Sequence, residues 1–407
     1  MNKKNDIAVS YEILLKIYRD GTYLNLIMKD VSNKRVAKTV YGVLDHHYKL
    51  NYIVNSLTEK VKNNVRPLLL IVAYHIVELK TPYNVVVNEC NETLESIGKS
   101  ALKSFVNAVA KKMQNCEYSL PNKNDKNYVE VKYNMPSFLV GMYKKDYPND
   151  YEKIIFTQDY PKVHIRLNKN TKEEEILLAD KNAEKTLTGF FVTNNKEIAM
   201  LNFLGKITYM GYTSTLIAES IKVKEGTTIL DVCSAPGGKA VALAQKGAKV
   251  TACDIYDHRV ELIRSYAERM KVGVDAYKQD GRNFVKKWKE NFDVVLVDAP
   301  CSGMGVKGKK KDVVFNKTYQ DILDIARLQQ DILQNASQYV KSGGLLVYST
   351  CTIFNKENKD NVVEFLEKNI NFKLEKIDLP YKNDGDIQFL PDGKGMEGFY
   401  LCHMRKN

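Results

Sequence analysis

Two short segments carry the side chains best equipped for chemistry. Asp298-Ala-Pro-Cys-Ser-Gly303 sets a carboxylate shortly before the Cys301 thiol, and Ser349-Thr-Cys-Thr352 offers a second thiol, Cys351. An ionised thiol is a strong nucleophile that can add to an electron-poor carbon and form a covalent intermediate. A neighbouring acid can hydrogen-bond the attacked ring and stabilise the charge that develops during addition. A second thiol can assist when the intermediate is resolved. A lone cysteine is more often a small buried hydrophobe, and that reading is kept for Cys90, Cys116, Cys253 and Cys402. Two thiols at the ends of adjacent strands, one beside an acid and a proline, make chance a poor explanation.

The elements that must position them begin with Thr228-Ile-Leu-Asp-Val-Cys-Ser-Ala-Pro-Gly-Gly-Lys239. Its apolar run reads as a strand buried on both faces, broken by Pro236-Gly237-Gly238, and a helix from Lys239 ended by Gly247. Strand, glycine turn and helix hold nucleotide-like ligands, because backbone approaches closely and free N–H groups point at the ligand. The motif alone suits many cofactors. Further strands are expected at 228–233, 248–253, 274–279, 293–298 and 345–350, with helices between. That alternation predicts an α/β doubly wound parallel sheet, with ligands outside the carboxyl ends of its strands. Gly398–His403 reads as a last strand able to insert antiparallel at the sheet edge.

Asp254 ends the second strand, roughly 20 residues beyond the glycine turn, where a carboxylate meets ribose hydroxyls. Asp280 follows the third strand, within reach of an adenine amino group. Either acid alone is an ordinary strand-end residue; together they favour an adenosine-containing cofactor. Strands four and five are then neighbours, so Cys301 and Cys351 should open onto one crevice. The C5 carbon of cytosine is a poor nucleophile towards a methyl sulfonium. A thiolate adding at C6 converts the ring to an enamine whose C5 can attack the methyl group. Asp298 can bond the ring at N3, and the base must first leave its stack.

At these residues the chain resembles the RNA 5-methylcytosine methyltransferases throughout its catalytic half. The resemblance implies S-adenosyl-L-methionine as cofactor, attack by Cys351 of the Thr-Cys motif and product release assisted by Cys301 of the Pro-Cys motif. DNA cytosine methyltransferases use the Pro-Cys thiol instead. Lys239 matches the family's lysine beside the methyl-transfer centre. The family's cofactor contacts match Cys233, Ser234, Ala235, Pro236, Gly237, Gly238, Lys239, Asp254, Arg259, Asp280 and Asp298. Two departures stand out. Leu216-Ile217 occupies a place where relatives carry Gln followed by an acid. Lys307-Gly-Lys-Lys-Lys311 replaces an Arg-rich loop with Pro-Asp, and lysine lacks arginine's bidentate geometry. That lysine run reads equally as a solvated loop or as a phosphate contact.

The N-terminal half reads as helical. Val36, Val40, Val43, Leu44 and Tyr48 recur at helical spacing, as do Leu102, Phe105, Val106, Val109 and Met113. Pro82, Val87-Asn-Glu89 and Phe105-Val-Asn-Ala-Val109 resemble the NusB-type RNA-binding domain. Its fusion to this catalytic unit is similar to the bacterial 16S ribosomal RNA methyltransferase B group. Three segments are expected: an all-α domain over 1–121, a small α+β module over 128–215 and a catalytic domain over 216–407. The polar stretch Asn122–Asn127 is the first linker. Val163–Leu167 alternates like a strand, and Thr171 with Glu174 suggests a capped helix start.

The composition is compatible with this picture. The 407 residues carry a net charge of +12, which suits a polyanion such as RNA, although an AT-rich genome also enriches lysine and asparagine. Seven scattered cysteines without a C-x-x-C pair argue against disulfides or zinc, and for a reducing compartment. His46-His47 lack the companions a metal site needs. No signal peptide is evident, and the apolar run Pro67–Leu79 is too short to span a bilayer, so it reads as a buried core helix. The expectation is a cytoplasmic, monomeric methyltransferase without metal or membrane, acting on 16S ribosomal RNA. The rivals are a tRNA or large-subunit target, a non-catalytic RNA-binding relative, and a nicotinamide dehydrogenase; the last is disfavoured because Cys-Ser-Ala-Pro-Gly-Gly is not G-x-G-x-x-G.

Overall fold

The computed structural model describes residues 4–29, 31–115, 118–157, 163–168, 172, 177, 180–315 and 317–407. The chain forms two compact units, Met1–Pro148 with Lys310–Thr318, and Asn149–Lys309 with Tyr319–Asn407.

The first unit is helical. Asn5 and Asn33 cap the helices Asp6–Asp20 and Lys34–Asp45 by accepting N–H groups of the first turn. The apolar run expected to be a core helix is one: Arg66–Ala73 is buried from Pro67 onward and continues into a single wider turn, Tyr74–Glu78. Among the described residues, no helix is long and apolar enough to cross a membrane. The polar stretch Asn122–Asn127 folds as turns inside this unit. The helices that follow it, Tyr128–Tyr133 and Ser137–Asp146, bury Val131, Tyr133, Leu139, Val140 and Tyr143. Between them Asn134 adopts a left-handed conformation, accepts the Tyr48 N–H at 3.0 Å and donates to the Leu44 carbonyl at 3.0 Å. Apolar burial and this double hydrogen bond hold both helices to the bundle, and the units part between Pro148 and Asn149.

The second unit opens with a small antiparallel sheet of β1 (Val163–Leu167), β2 (Glu184–Lys185), β3 (Phe190–Val192) and β4 (Ile207–Tyr209), ordered β2-β3-β1-β4. Ile165, Phe190, Val192 and Ile207 face a core completed by Leu177 and Ile198. Arg166 and Thr208 leave that core and hydrogen-bond Gln245 and Tyr266 on the helices Gly238–Gln245 and Asp257–Arg269. The helix start expected at Thr171 and Glu174 lies outside the described residues.

The main sheet follows the expected rhythm. Strands β5 (Thr228–Asp231), β6 (Lys249–Asp254), β7 (Asp275–Lys278), β8 (Phe292–Asp298) and β9 (Val340–Thr350) pair in parallel, in the order β9-β8-β5-β6-β7. Helices Tyr212–Ser220, Gly238–Gln245 and Asp257–Arg269 bury apolar side chains on one face. Tyr319–Ser337 and Lys359–Lys368 cover the other. The last strand departs from expectation. β12 (Phe399–Lys406) runs antiparallel to β9 but is not at the edge, because β10 (Phe372–Leu374) and β11 (Asp386–Phe389) pair along its far side. Those strands are too short and polar for alternation to reveal them. β12 is consequently buried on both faces, with Leu401 and Met404 fully enclosed.

Leu401→Ala tests the interior position of β12. Truncating a fully enclosed leucine should lower unfolding free energy by about 2–5 kcal/mol in urea denaturation. A loss below about 1 kcal/mol would mean that this strand lies at a loose edge.

Candidate active site

Strands β8 and β9 set the geometry. Their parallel register pairs Asp298 with Ser349, so both strands end at the same level. The Ala299 N–H donates to the Ser349 carbonyl at 2.8 Å, continuing the ladder one step beyond the strand. The chain then turns at Pro300 and Gly303 and brings the Cys301 Sγ to 2.9 Å from the Cys351 Sγ. The Cys351 N–H also donates to the Cys301 sulfur at 3.2 Å. Neither cysteine is in a disulfide, and both are half-buried. Glycine is required next: the Gly305 N–H donates to the Cys351 carbonyl at 3.1 Å, and the Gly398 N–H to the Gly305 carbonyl at 2.9 Å. A Cβ on Gly305 would lie 1.9 Å from the Gly398 carbonyl oxygen, so no larger residue fits without moving backbone.

Asp298 and Lys239 stand beside the thiols. Lys239 Nζ donates to Asp298 Oδ2 at 2.6 Å, and the Ser349 hydroxyl to Oδ1 at 2.7 Å. Lys239 is almost fully buried, while Asp298 retains 30 % of its side-chain exposure towards the crevice. Burial works against the Lys239 charge. The Asp298 carboxylate, aided by Asp231 and by negative charge on Cys351, outweighs it and raises the lysine pKa. The Lys239 ammonium thus lies within electrostatic range of the Cys351 sulfur. The Cys301 thiol is pushed well up by its contact with Cys351 and by burial.

The cofactor-side residues converge at the carboxyl ends of β5, β6 and β7. Gly237 is left-handed with φ 102°, and a Cβ there would press on the Ile263 backbone at 3.2 Å. Asp254 is buried and meets Arg259 at 3.4 Å. Asp280 is engaged by Arg282 through three side-chain contacts of 3.0, 3.2 and 2.6 Å, so its acceptor oxygens are already shared. A residue that the sequence reading missed lies here too. Asp231 is 1 % exposed, yet neither its carboxylate oxygens nor the buried Ser234 hydroxyl makes a well-formed hydrogen bond to the described residues, although the two groups lie close enough to interact. Unsatisfied buried polar groups are costly, so these atoms suit a ligand that brings donors and positive charge, as an amino-acid-bearing adenosine sulfonium does. The signal was present in the sequence: an acid closing an otherwise apolar strand.

Both departures found in the sequence have structural explanations. Leu216 and Ile217 sit on the helix Tyr212–Ser220, fully buried in the core beneath the sheet. The lysine loop is partly committed internally. Lys309 forms an ion pair with buried Glu397, and Lys311 pairs with Asp45 at 2.8 Å within the first unit. There Asp312 accepts the Leu24 N–H at 2.9 Å, and Phe315 packs 4.6 Å from the His47 ring. His47 accordingly belongs to an aromatic cluster, hydrogen-bonded to Tyr18, and burial pushes its pKa down to about 4.

A doubly wound sheet with this crevice, preceded by a helical unit, defines a Rossmann-like methyltransferase. Comparison with known proteins narrows the class. Residues 218–405 match the family described as 16S rRNA methyltransferase RsmB/F, and residues 8–115 match the NusB family. A probable ribosomal RNA small subunit methyltransferase B from Bacillus subtilis is 30 % identical, with 100 % of each chain covered. The Shewanella oneidensis ribosomal RNA small subunit methyltransferase B is 27 % identical over 84 % of this chain and 82 % of its own. Among solved structures, PH0851 superposes with a TM-score of 0.85 at 21 % identity, covering 99 % of both chains. The chain belongs to the ribosomal RNA small subunit methyltransferase B family.

Asp231 gives a pH test. Burial, then the nearby Asp298 charge, pushes its pKa up from 3.8 to about 7. The folded chain therefore holds this proton more tightly than the unfolded chain, and stability falls as pH rises from about 4 through about 7. Asp231→Asn should leave urea stability nearly unchanged at pH 4 and raise it at pH 8 by up to a few kcal/mol. An equal loss at both pH values would contradict this account.

Proposed function

We propose that this methyltransferase transfers a methyl group to C5 of a cytosine in 16S ribosomal RNA, with S-adenosyl-L-methionine as donor. The observation that carries the reading is the 2.9 Å approach of the Cys301 and Cys351 sulfurs beside the Lys239–Asp298 pair. Two thiols in contact, one within electrostatic range of the Lys239 ammonium and the other with its pKa pushed well up, are suited to opposite tasks. The relatives' names support small-subunit ribosomal RNA as the target. The NusB-family match and the net charge of +12 support an RNA-binding first unit.

In this reading Cys351 Sγ forms a bond to C6 of the flipped-out cytosine, and the C5=C6 electron pair moves onto the ring. The charge reaching N3 is neutralised by a proton from water, and the resulting N3–H donates to the Asp298 carboxylate, which Lys239 fixes in place. The donor, when bound, supplies an electrophilic methyl group to C5. Its cradle consists of Cys233 to Lys239, Asp254, Arg259 and Asp280, to which Asp231 is added. The C5 and N3 protons then pass to water, the C5–H electron pair restores the C5=C6 double bond, and the C6–S pair returns to Cys351 as that bond breaks. Cys301, held as a thiol against the Cys351 sulfur, assists that departure.

The test measures labelled methyl incorporation into a 16S ribosomal RNA transcript. Cys351→Ala should lower it by on the order of 10³ or more while cofactor binding persists. Cys301→Ser should instead accumulate a protein–RNA adduct stable to denaturing electrophoresis. Adduct accumulation in the Cys351 variant would exchange the two roles, and full activity in it would refute the nucleophile.

A further inference from the structure

The peptide groups flanking Cys301 are held from behind by two buried side chains that play no part in the chemistry described so far. Glu357 is fully buried, and its Oε2 accepts the Ser302 N–H at 2.8 Å. Gln329, also fully buried, donates through Nε2 to the Pro300 carbonyl at 2.8 Å and to the same Glu357 oxygen at 3.1 Å. One side chain therefore grips the residue before Cys301, the other grips the residue after it, and the two grips are joined. The joint is itself braced. The Tyr348 hydroxyl, on β9, donates to the Glu357 carbonyl at 2.7 Å, and Asn361 Nδ2 donates to Gln329 Oε1 at 2.8 Å. The Ser302 and Thr352 hydroxyls meet at 2.8 Å, linking this bracket to the residue after Cys351.

We propose that Gln329 and Glu357 are positioning residues that fix Cys301 for the step in which the RNA adduct is released. The proposal rests on the proposed cytosine chemistry and adds to it which side chains govern the second thiol. An acid without a counter-ion is a costly choice for a buried site, so an acceptor at this position has a purpose. Both described hydrogen bonds run to Oε2, a role that an amide oxygen fills equally well. Burial also raises the Glu357 pKa, which makes neutral glutamine the closest mimic. A leucine would leave the Ser302 N–H unsatisfied and free the turn that carries Cys301. Misplacing a catalytic group by about 1 Å can cost on the order of 10²-fold in rate. The loss should fall mainly on release, because Cys351 directly follows β9, whose pairing with β8 and β12 holds it independently of the Ser302–Thr352 contact.

The experiment follows adduct formation and methylated product separately, using the full-length protein, 16S ribosomal RNA transcript and S-adenosyl-L-methionine. Glu357→Leu should form adduct within about threefold of wild type but release product roughly 10–100-fold more slowly. Glu357→Gln should behave as wild type. Gln329→Leu, which breaks the clamp from its other end, should reproduce the slow release and guards against a folding failure of the first variant; melting curves and cofactor binding report folding. Cys301→Ser serves as reference. If it accumulates adduct while both leucine variants turn over normally, this proposal alone is overturned. The same holds if Glu357→Gln is as slow as Glu357→Leu, which would make the carboxyl group itself the requirement. If Cys301→Ser yields no adduct, the cytosine reading fails first.

Discussion

The site depends on two sulfur atoms held 2.9 Å apart at the carboxyl ends of neighbouring parallel strands. Groups so close cannot both carry negative charge, so at most one of the two is ionised at a time. The surroundings decide which is which. Lys239 lies within electrostatic range of Cys351, while contact with Cys351 and burial keep the proton on Cys301. Chemically identical side chains are thereby made different by position alone. The strand register, the glycine contact between Gly305 and Gly398, and the bracket behind Cys301 all serve to hold that distance.

A site of this kind is costly to the fold. Asp231 and Ser234 bury polar atoms that make no well-formed hydrogen bond among the described residues, and Lys239 and Glu357 are charged-type groups removed from water. Extensive apolar burial on both sheet faces offsets these costs. The same arrangement explains why the residues after the Pro-Cys turn are not free to wave in solvent. Lys309 is drawn to buried Glu397, and from Lys310 the chain belongs to the helical unit, where Phe315 is packed among aromatic rings.

The parallel strands and their connecting helices were legible because buried strands are continuous apolar runs punctuated by glycine and acids. So was the convergence of Cys301 and Cys351, since sequence order in a doubly wound sheet fixes which strand ends are neighbours. Three features were not legible. β10 and β11 are too short to show a period, which left β12 misassigned to the edge. The helices from Tyr128 to Asp146 pack on the bundle although a polar stretch precedes them, because turn composition looks the same inside a unit as between units. Asp231 and Glu357 escaped notice because their importance comes from burial, a property of the fold rather than of the residue. The lysine run shows the same limit, since two of its charges have partners distant in sequence.

The most direct test of the account asks which sulfur touches the substrate ring. A 16S ribosomal RNA carrying 5-fluorocytidine cannot lose its C5 substituent as a proton, so methylation should trap the wild-type protein on it. Peptide mass spectrometry after nuclease digestion should then find the nucleotide on the fragment containing Cys351 alone. Attachment at Cys301, or methyl transfer with no covalent species at all, would contradict the central claim.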